Sequence, residues 1–259
     1  MKKTALITGA TSGIGKALAY EHAKQGGNLV LLARREKLLQ QIRDDLRDLY
    51  DVNVAIYPCD LTDLDALKTT VESIQRKGIR IDYLMNNAGT GGYGLFKDTD
   101  WTHSLNILRL NCSALTYLIH AFLPQMLERD EGRILNVAST AAWMPGPLQS
   151  VYFGSKAYVR SISWALIEEL RDTKVTVTIG CPGPTLTGFI EASKMEGSRL
   201  FKKGKRPEIV AKAFYKALLA GKHEVITDCA QSIQLKYLMP FSPMCLVLKL
   251  TKWYQQKVA

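Results

Sequence analysis

Seven short apolar runs set the frame of this chain. They are Thr4–Thr8, Leu29–Ala33, Val54–Tyr57, Tyr83–Met85, Ile134–Ala138, Val175–Gly180 and Val225–Thr227. Each is only long enough for a strand, and most are apolar at consecutive positions rather than at alternate ones. A strand of that kind must be covered on both faces, as in a parallel sheet. The intervening segments repeat with a helical period. Leu38, Leu39, Ile42, Leu46 and Leu49 fall on one helix face, and so do Leu64, Leu67, Val71 and Ile74. Strand and helix alternating seven times predict an α/β fold, a doubly wound parallel seven-stranded sheet with helices on both faces. No Pro/Gly/Ser-rich linker or internal repeat divides the 259 residues. The expected organisation is one catalytic domain over residues 1–241, with a substrate lid at about 188–206, and a basic amphipathic C-terminal helix or tail over 242–259.

The first run leads into Thr8-Gly9-Ala10-Thr11-Ser12-Gly13-Ile14-Gly15, and a helix pattern begins near Lys16. Glycines there permit a tight turn and let backbone N–H groups approach a pyrophosphate at a helix N-terminus. At the first strand–helix junction this predicts a dinucleotide site. The second run ends in Arg34-Arg35, where a carboxylate would select a free ribose 2′-hydroxyl. Arginine accommodates a 2′-phosphate instead, so the expected cofactor is NADP(H).

Tyr152 and Lys156 stand at i and i+4, on one face of a helix. A phenol titrates near 10 unperturbed, and a neighbouring ammonium lowers that value, which would fit Tyr152 for proton transfer near neutrality. Asn86-Asn87-Ala88-Gly89 follows the fourth run, Ser139 the fifth and Pro182-Gly183 the sixth; Asn111 lies in the helical stretch between the fourth and fifth. The C-terminal edge of an open α/β sheet is where ligands bind.

In order and spacing these segments resemble the short-chain dehydrogenase/reductase family, from Thr8 to about Thr227. LLARREKL is most similar to the branch of DltE-like reductases and 3-ketoacyl or hydroxysteroid reductases. The resemblance implies a Rossmann-like sheet ordered 3-2-1-4-5-6-7 and a catalytic tetrad of Asn111, Ser139, Tyr152 and Lys156. Tyr152 would be the general acid or base and Ser139 would hold the carbonyl oxygen. Lys156 would depress the Tyr152 pKa and hold the nicotinamide ribose, and Asn111 would support a water-linked proton relay. The cofactor would lie on Gly9, Thr11, Ser12, Gly13, Ile14 and Gly15. Arg34, Arg35, Asp60 and Leu61 would surround its adenosine end, with Asn87, Ala88 and Gly89 as a wall. Pro182, Gly183, Thr185 and Thr187 would meet the nicotinamide. Ser139, Tyr152, Trp143 and Phe189 would contact substrate. Gly154 stands where the family often carries alanine. Read this way, the chain is an NADP(H)-dependent oxidoreductase acting on a carbonyl or secondary alcohol, expected as a homodimer or homotetramer. The alternative is a catalytically silent NADP(H)-binding regulator.

Charge adds a regional constraint. The net charge is +10, but residues 1–193 carry 21 basic and 20 acidic side chains while residues 194–259 carry 13 and 4. That division, with no nucleic-acid module, excludes a whole-domain nucleic-acid footprint. The run Lys202-Lys203-Gly204-Lys205-Arg206 reads as a solvated face or as an attractor of an acidic group. Aromatic and aliphatic residues in 90–96, 141–149 and 188–205 suggest a substrate with an apolar body. Five widely spaced cysteines, with no CxxC, give no metal site and suit reduced thiols in the cytoplasm. The tail from Ser242 either packs on protein or lies on an anionic membrane surface.

Overall fold

The computed structural model describes residues 2–201 and 204–257. Seven parallel strands form one sheet: β1 (Thr4–Thr8), β2 (Asn28–Ala33), β3 (Val54–Pro58), β4 (Tyr83–Asn86), β5 (Gly132–Val137), β6 (Val175–Cys181) and β7 (Glu224–Ile226). Their order is β3-β2-β1-β4-β5-β6-β7, as the family resemblance implied. The helices are α1 (Gly13–Lys24), α2 (Glu36–Tyr50), α3 (Leu64–Arg76), α4 (Trp101–Leu108), α5 (Leu115–Glu128), α6 (Ser150–Glu169), α7 (Phe189–Ala192), α8 (Pro207–Leu219), α9 (Cys229–Ile233) and α10 (Met244–Gln255).

Alternation along each strand divides the core between the two faces. Leu6, Leu84, Ile134 and Val177 point to one side, where Leu67 of α3, Phe122 of α5 and Val159 of α6 cover them. Ala5, Ile7, Met85 and Leu135 point to the other, under Leu18 of α1, Ile42 of α2 and Phe214 of α8. Burial on both faces is the physical reason these strands read as unbroken apolar runs.

Two local readings are corrected. Leu49 is 64% exposed, because the buried face of α2 ends at Leu46 and the chain turns at Asp51 in a left-handed conformation (φ 50°). β5 starts at Gly132, two residues before its apolar run. Arg133 pairs in register between Tyr83 and Thr176, and its guanidinium donates to the Leu218 carbonyl at 2.8 Å.

Reversal of the strand order between β1 and β4 opens a crevice at the C-terminal sheet edge. The turn after β1 and the segments after β4, β5 and β6 meet there.

Candidate active site

The turn after β1 is built around close backbone approaches. Thr8 Oγ1 accepts from the Asn87 and Ala88 amides at 3.0 and 2.9 Å, and Asn87 Nδ2 donates to the Thr8 carbonyl at 2.9 Å. A Cβ on Gly15 would lie 2.4 Å from both Asn87 Nδ2 and the Gly9 carbonyl oxygen. Gly13 has φ +54°, and a Cβ there would sit 2.8 Å from Thr187 Cγ2. The β1 turn, the β4 end and the segment after β6 are thereby locked together. Exposed Arg34 and Arg35 follow β2, and Arg35 reaches across to the turn, its Nη2 donating to Thr11 Oγ1 at 2.8 Å. Asp60 is held in a local turn, its carboxylate accepting from the Thr62 amide at 3.0 Å and hydroxyl at 2.8 Å.

At the other end of the crevice, Ser139 caps the turn after β5, its hydroxyl accepting from the Ala141 amide at 3.1 Å. Tyr152 and Lys156 project from α6 and are buried, with the ammonium 6.0 Å from the phenol ring centroid. Lys156 Nζ donates to the Val137 carbonyl at 2.9 Å. Asn111 lies in a π-helical turn, Arg109–Ala114, that joins α4 to α5. Such turns widen the helix locally and recur at functional sites. Its carboxamide is fully used: Oδ1 accepts from the Thr90 amide at 3.0 Å, and Nδ2 donates to the Thr90 carbonyl and to Ser155 Oγ, each at 2.9 Å. A Cβ on Gly89 would lie 3.2 Å from Lys156 Nζ and 3.3 Å from Asn111 Oδ1, so the β4 end passes against both side chains.

The electrostatics differ from the sequence expectation. Burial pushes the Tyr152 phenol up to about 12, with the Ser139 hydroxyl acting in the opposite direction. Burial also pulls the Lys156 ammonium down to about 8. Desolvation therefore outweighs the expected lowering of the phenol by the lysine, whose Nζ is committed to the Val137 carbonyl.

One cavity of about 1450 Å³ joins these parts. Of the predicted site residues, Gly9, Thr11, Ser12, Gly13, Ile14, Arg34, Arg35, Asp60, Leu61, Asn87, Ala88 and Gly89 line one part of it. Ser139, Tyr152, Lys156, Pro182, Gly183, Thr185, Thr187 and Phe189 line the remainder. Gly15 and Asn111 brace the walls from behind. Phe189 of α7 stands over Tyr152, ring centroids 5.2 Å apart.

Trp143 is a correction. It stacks beneath the Arg160 guanidinium at 3.7 Å and packs on the core beside β6, so it supports the site rather than facing substrate. Arg160 is fixed in turn by Glu224 at 2.8 Å. Two residues of the basic run have partners. Lys205 reaches the Thr227 carbonyl and Asp228, and Arg206 pairs with Glu208 at 3.3 Å. Lys202 and Lys203 lie outside the described residues.

Sequence reasoning missed a whole wall. Leu246, Val247, Leu250, Thr251, Tyr254 and Gln255 of α10 line the cleft, facing Met144 and Gln149 of the 141–149 segment expected there. Thr251 Oγ1 lies 3.5 Å from Met144 Sδ, and Arg199 donates to the Trp253 carbonyl at 3.1 Å while stacking on its ring. The tail therefore returns over the lid. Its apolar spacing announced a helix, but not the element it would cover.

Fold and crevice together define a dinucleotide-binding α/β protein with a buried serine, tyrosine and lysine beside the strand ends. The short chain dehydrogenase family model matches residues 3–196, and the chain belongs to that family. Relatives include 11-beta-hydroxysteroid dehydrogenase A of Sesamum indicum, 33% identical over 205 residues that are 79% of this chain and 57% of that protein. The chain thus spans little more than half the length of that relative. An NADP-dependent 3-hydroxy acid dehydrogenase of Schizosaccharomyces pombe is 32% identical over 234 residues, covering 87% of this chain and 90% of that one. Among solved structures, a short-chain dehydrogenase of Sphingobium yanoikuyae in complex with NADPH superposes with a TM-score of 0.84, at 28% identity and 92% coverage of both chains.

Proposed function

We propose that this protein is an NADP(H)-dependent oxidoreductase that interconverts a carbonyl compound and a secondary alcohol. The observation that carries the reading is the convergence of Ser139, Tyr152 and Lys156 in the same cleft as the glycine turn. The cradle fits a dinucleotide. A Cβ would collide at Gly13 and Gly15 and be tight at Gly9, where φ is +66°, so glycines keep the turn packed against Thr187, Asn87 and Ala88 and leave its backbone open to a dinucleotide. Bound there, the nicotinamide would supply or accept the hydride.

The chain's own residues position the substrate and move the proton. Tyr152, kept protonated by burial, is suited to donate to the oxygen of a carbonyl being reduced. The Ser139 hydroxyl would hydrogen-bond the same oxygen, a bond that strengthens as negative charge develops. Lys156, with its pKa near 8, can pass a proton at neutral pH, and Asn111 fixes the Thr90 backbone beside it. Arg34 and Arg35 support NADP(H) over NAD(H), because a guanidinium pairs with a 2′-phosphate where a carboxylate would repel it. Met144, Phe189 and Leu250 support an apolar substrate body.

We further infer a homodimer or homotetramer formed through the helices that carry Asn111 and Tyr152, supported by exposed Tyr158 and Trp164 on α6. The buried free thiols of Cys59 and Cys181 support a reducing, cytoplasmic setting. The outward side of the tail, with Phe241, Met244, Lys249 and Lys252 exposed, supports peripheral contact with an anionic membrane. No helix among the described residues is long and apolar enough to cross a membrane.

Loss of NADPH absorbance over a carbonyl panel tests the enzyme. Tyr152→Phe should remove turnover, by on the order of a hundredfold or more, while NADPH still binds. Undiminished turnover in that variant would remove Tyr152 as the acid. Nucleotide binding with no turnover of any carbonyl by the wild type would support the silent binder instead.

A further inference from the structure

Ser139 is presented by a very short element, the 3₁₀ turn Thr140–Trp143. Three amide hydrogen bonds shape it. The Ala142 amide donates to the Ser139 carbonyl at 3.0 Å and the Ala141 amide to the Ser139 hydroxyl at 3.1 Å. The Thr140 amide donates to the Pro182 carbonyl at 3.1 Å. The first two close back on Ser139 itself, so they fold the turn without fixing it to the rest of the protein. Thr140, Ala141 and Ala142 have small side chains, which leaves Trp143 as the long anchor. Its indole packs on the core beside β6. Its Nε1 lies near the Cys181 thiol but makes no hydrogen bond of good geometry among the described residues. Hydrogen bonding therefore does not set the plane of this ring.

Arg160 sets it instead. Its guanidinium carbon stands 3.7 Å from the Trp143 ring centroid, well inside the roughly 6 Å range over which a cation is held on an aromatic face. The same guanidinium donates through Nε to Glu224 at 2.8 Å, a carboxylate whose side chain is only 4% exposed on the edge strand β7. A planar guanidinium can stack flat and pair along its edge at once, which an ammonium cannot do. Arg160 lies on α6 about two turns beyond Tyr152. One side chain thus joins the helix that carries the tyrosine, the last strand and the turn that carries the serine.

We propose that Arg160 is a positioning residue for the reaction: by clamping Trp143 against the core it fixes the Ser139 turn, so that the serine hydroxyl is aimed at the substrate oxygen beside the Tyr152 phenol. Arg160 is not among the residues lining the cleft, so it acts through Ser139 and touches neither substrate nor cofactor. Misplacing a reacting group by about 1 Å can cost up to about a hundredfold in rate, so a clamp on so short a turn matters to turnover. This rests on the oxidoreductase reading above and adds a residue to its machinery.

The experiment is a double-mutant cycle on a ketone that the wild type reduces with NADPH. Arg160→Met removes the planar cation, and Glu224 keeps Lys236 as a partner at 3.7 Å, so its carboxylate is not left alone. That variant should lower kcat by about tenfold while the Kd for NADPH, read by fluorescence titration, changes by less than about twofold. Ser139→Ala alone should lose about 10²–10³ in kcat, which leaves a rate measurable at raised enzyme concentration. Added to Ser139→Ala, Arg160→Met should change kcat by less than about twofold, because the hydroxyl it positions is gone. Hydrogen exchange reads the clamp without turnover: amides of residues 139–144 should exchange about tenfold faster in Arg160→Met, while those of residues 152–165 keep their wild-type rate. Arg160→Lys keeps the charge beside Glu224 but not the flat stack, and carries the same cycle if the methionine variant does not fold. A similar fall in kcat with and without the Ser139 hydroxyl overturns the proposal. So does wild-type kcat in the Arg160 variants, or unchanged exchange at 139–144. Reduction of no carbonyl by the wild type, with NADPH or NADH, overturns the oxidoreductase reading itself, and this inference with it.

Discussion

Replacing Lys156 by methionine should make the protein less sensitive to pH, in a direction opposite to that of most lysine deletions. The buried ammonium titrates near 8 rather than 10.5. That drop corresponds to about 3 kcal/mol against holding the charged amine in the fold at neutral pH. Between the two values the unfolded chain keeps the proton and the folded chain releases it. Stability therefore rises with pH across the window from about 8 to 10.5, and the first part of the rise, from pH 7 to 9, is worth about 1 kcal/mol. Tyr152 contributes in the opposite sense. Its folded value is raised from 10 to about 12, so its contribution is intact below pH 10 and is lost only above that. The Val137 carbonyl loses its donor in Lys156→Met, at a cost of about 1 kcal/mol, but that cost does not vary with pH. The Cys112 and Cys181 thiols couple to Lys156, but burial raises both of them, so their titration falls mainly above this pH range. Urea unfolding followed by tryptophan fluorescence, without added nucleotide, gives the assay. Wild type minus variant should increase by about 1 kcal/mol from pH 7 to pH 9. Parallel pH profiles for the two proteins would refute the claim that desolvation governs this lysine.

Three further perturbations test other parts of the cleft. Replacing Arg34 and Arg35 together by alanine should raise the KM for NADPH by about tenfold or more and leave that for NADH nearly unchanged; equal effects on both would remove the 2′-phosphate contact. Gly15→Ala would place a Cβ 2.4 Å from a backbone oxygen and from Asn87 Nδ2, and should lower stability by about 1–3 kcal/mol and weaken NADPH binding, read by melting and by NADPH fluorescence titration. Phe241, 88% exposed, and Met244 are each replaced by glutamate in the third. Wild type should float with phosphatidylserine-containing vesicles and the variant should not, whereas equal flotation, or none for either, would exclude tail-driven binding.

Much of the fold was legible because buried parallel strands write themselves as short unbroken apolar runs. The register of Ala5, Leu6 and Ile7 then assigns each strand residue to one of two cores. The cleft was legible for a related reason. Residues at successive strand ends need only their order and their place at the C-terminal edge to be brought together, and across it Thr8 meets Asn87 while Gly13 meets Thr187. What the sequence could not carry was direction and environment. Trp143 lies one short turn beyond Ser139, and only the path of that turn and the guanidinium of Arg160 decide which way the indole faces. Thr251 and Met144 are 107 residues apart, so no local pattern joins α10 to the cleft.

The Tyr152–Lys156 pair shows the same limit in its chemistry. An i, i+4 spacing guarantees neighbours on a helix, but the sign of their mutual effect depends on burial and on competing partners. Here Lys156 gives its hydrogen bond to the Val137 carbonyl, and Tyr152 lies in an environment that penalises the phenolate. Under the proposed function, burial keeps Tyr152 in the protonated form that carbonyl reduction would draw on, while the raised pKa makes the phenol a weaker acid than a free one. The pH dependence of the two directions tests the lysine's part. With Lys156 passing the proton, alcohol oxidation should rise from neutrality and level above about pH 8, while ketone reduction should hold level below about pH 8 and fall above it; profiles with no break near pH 8 would refute that role.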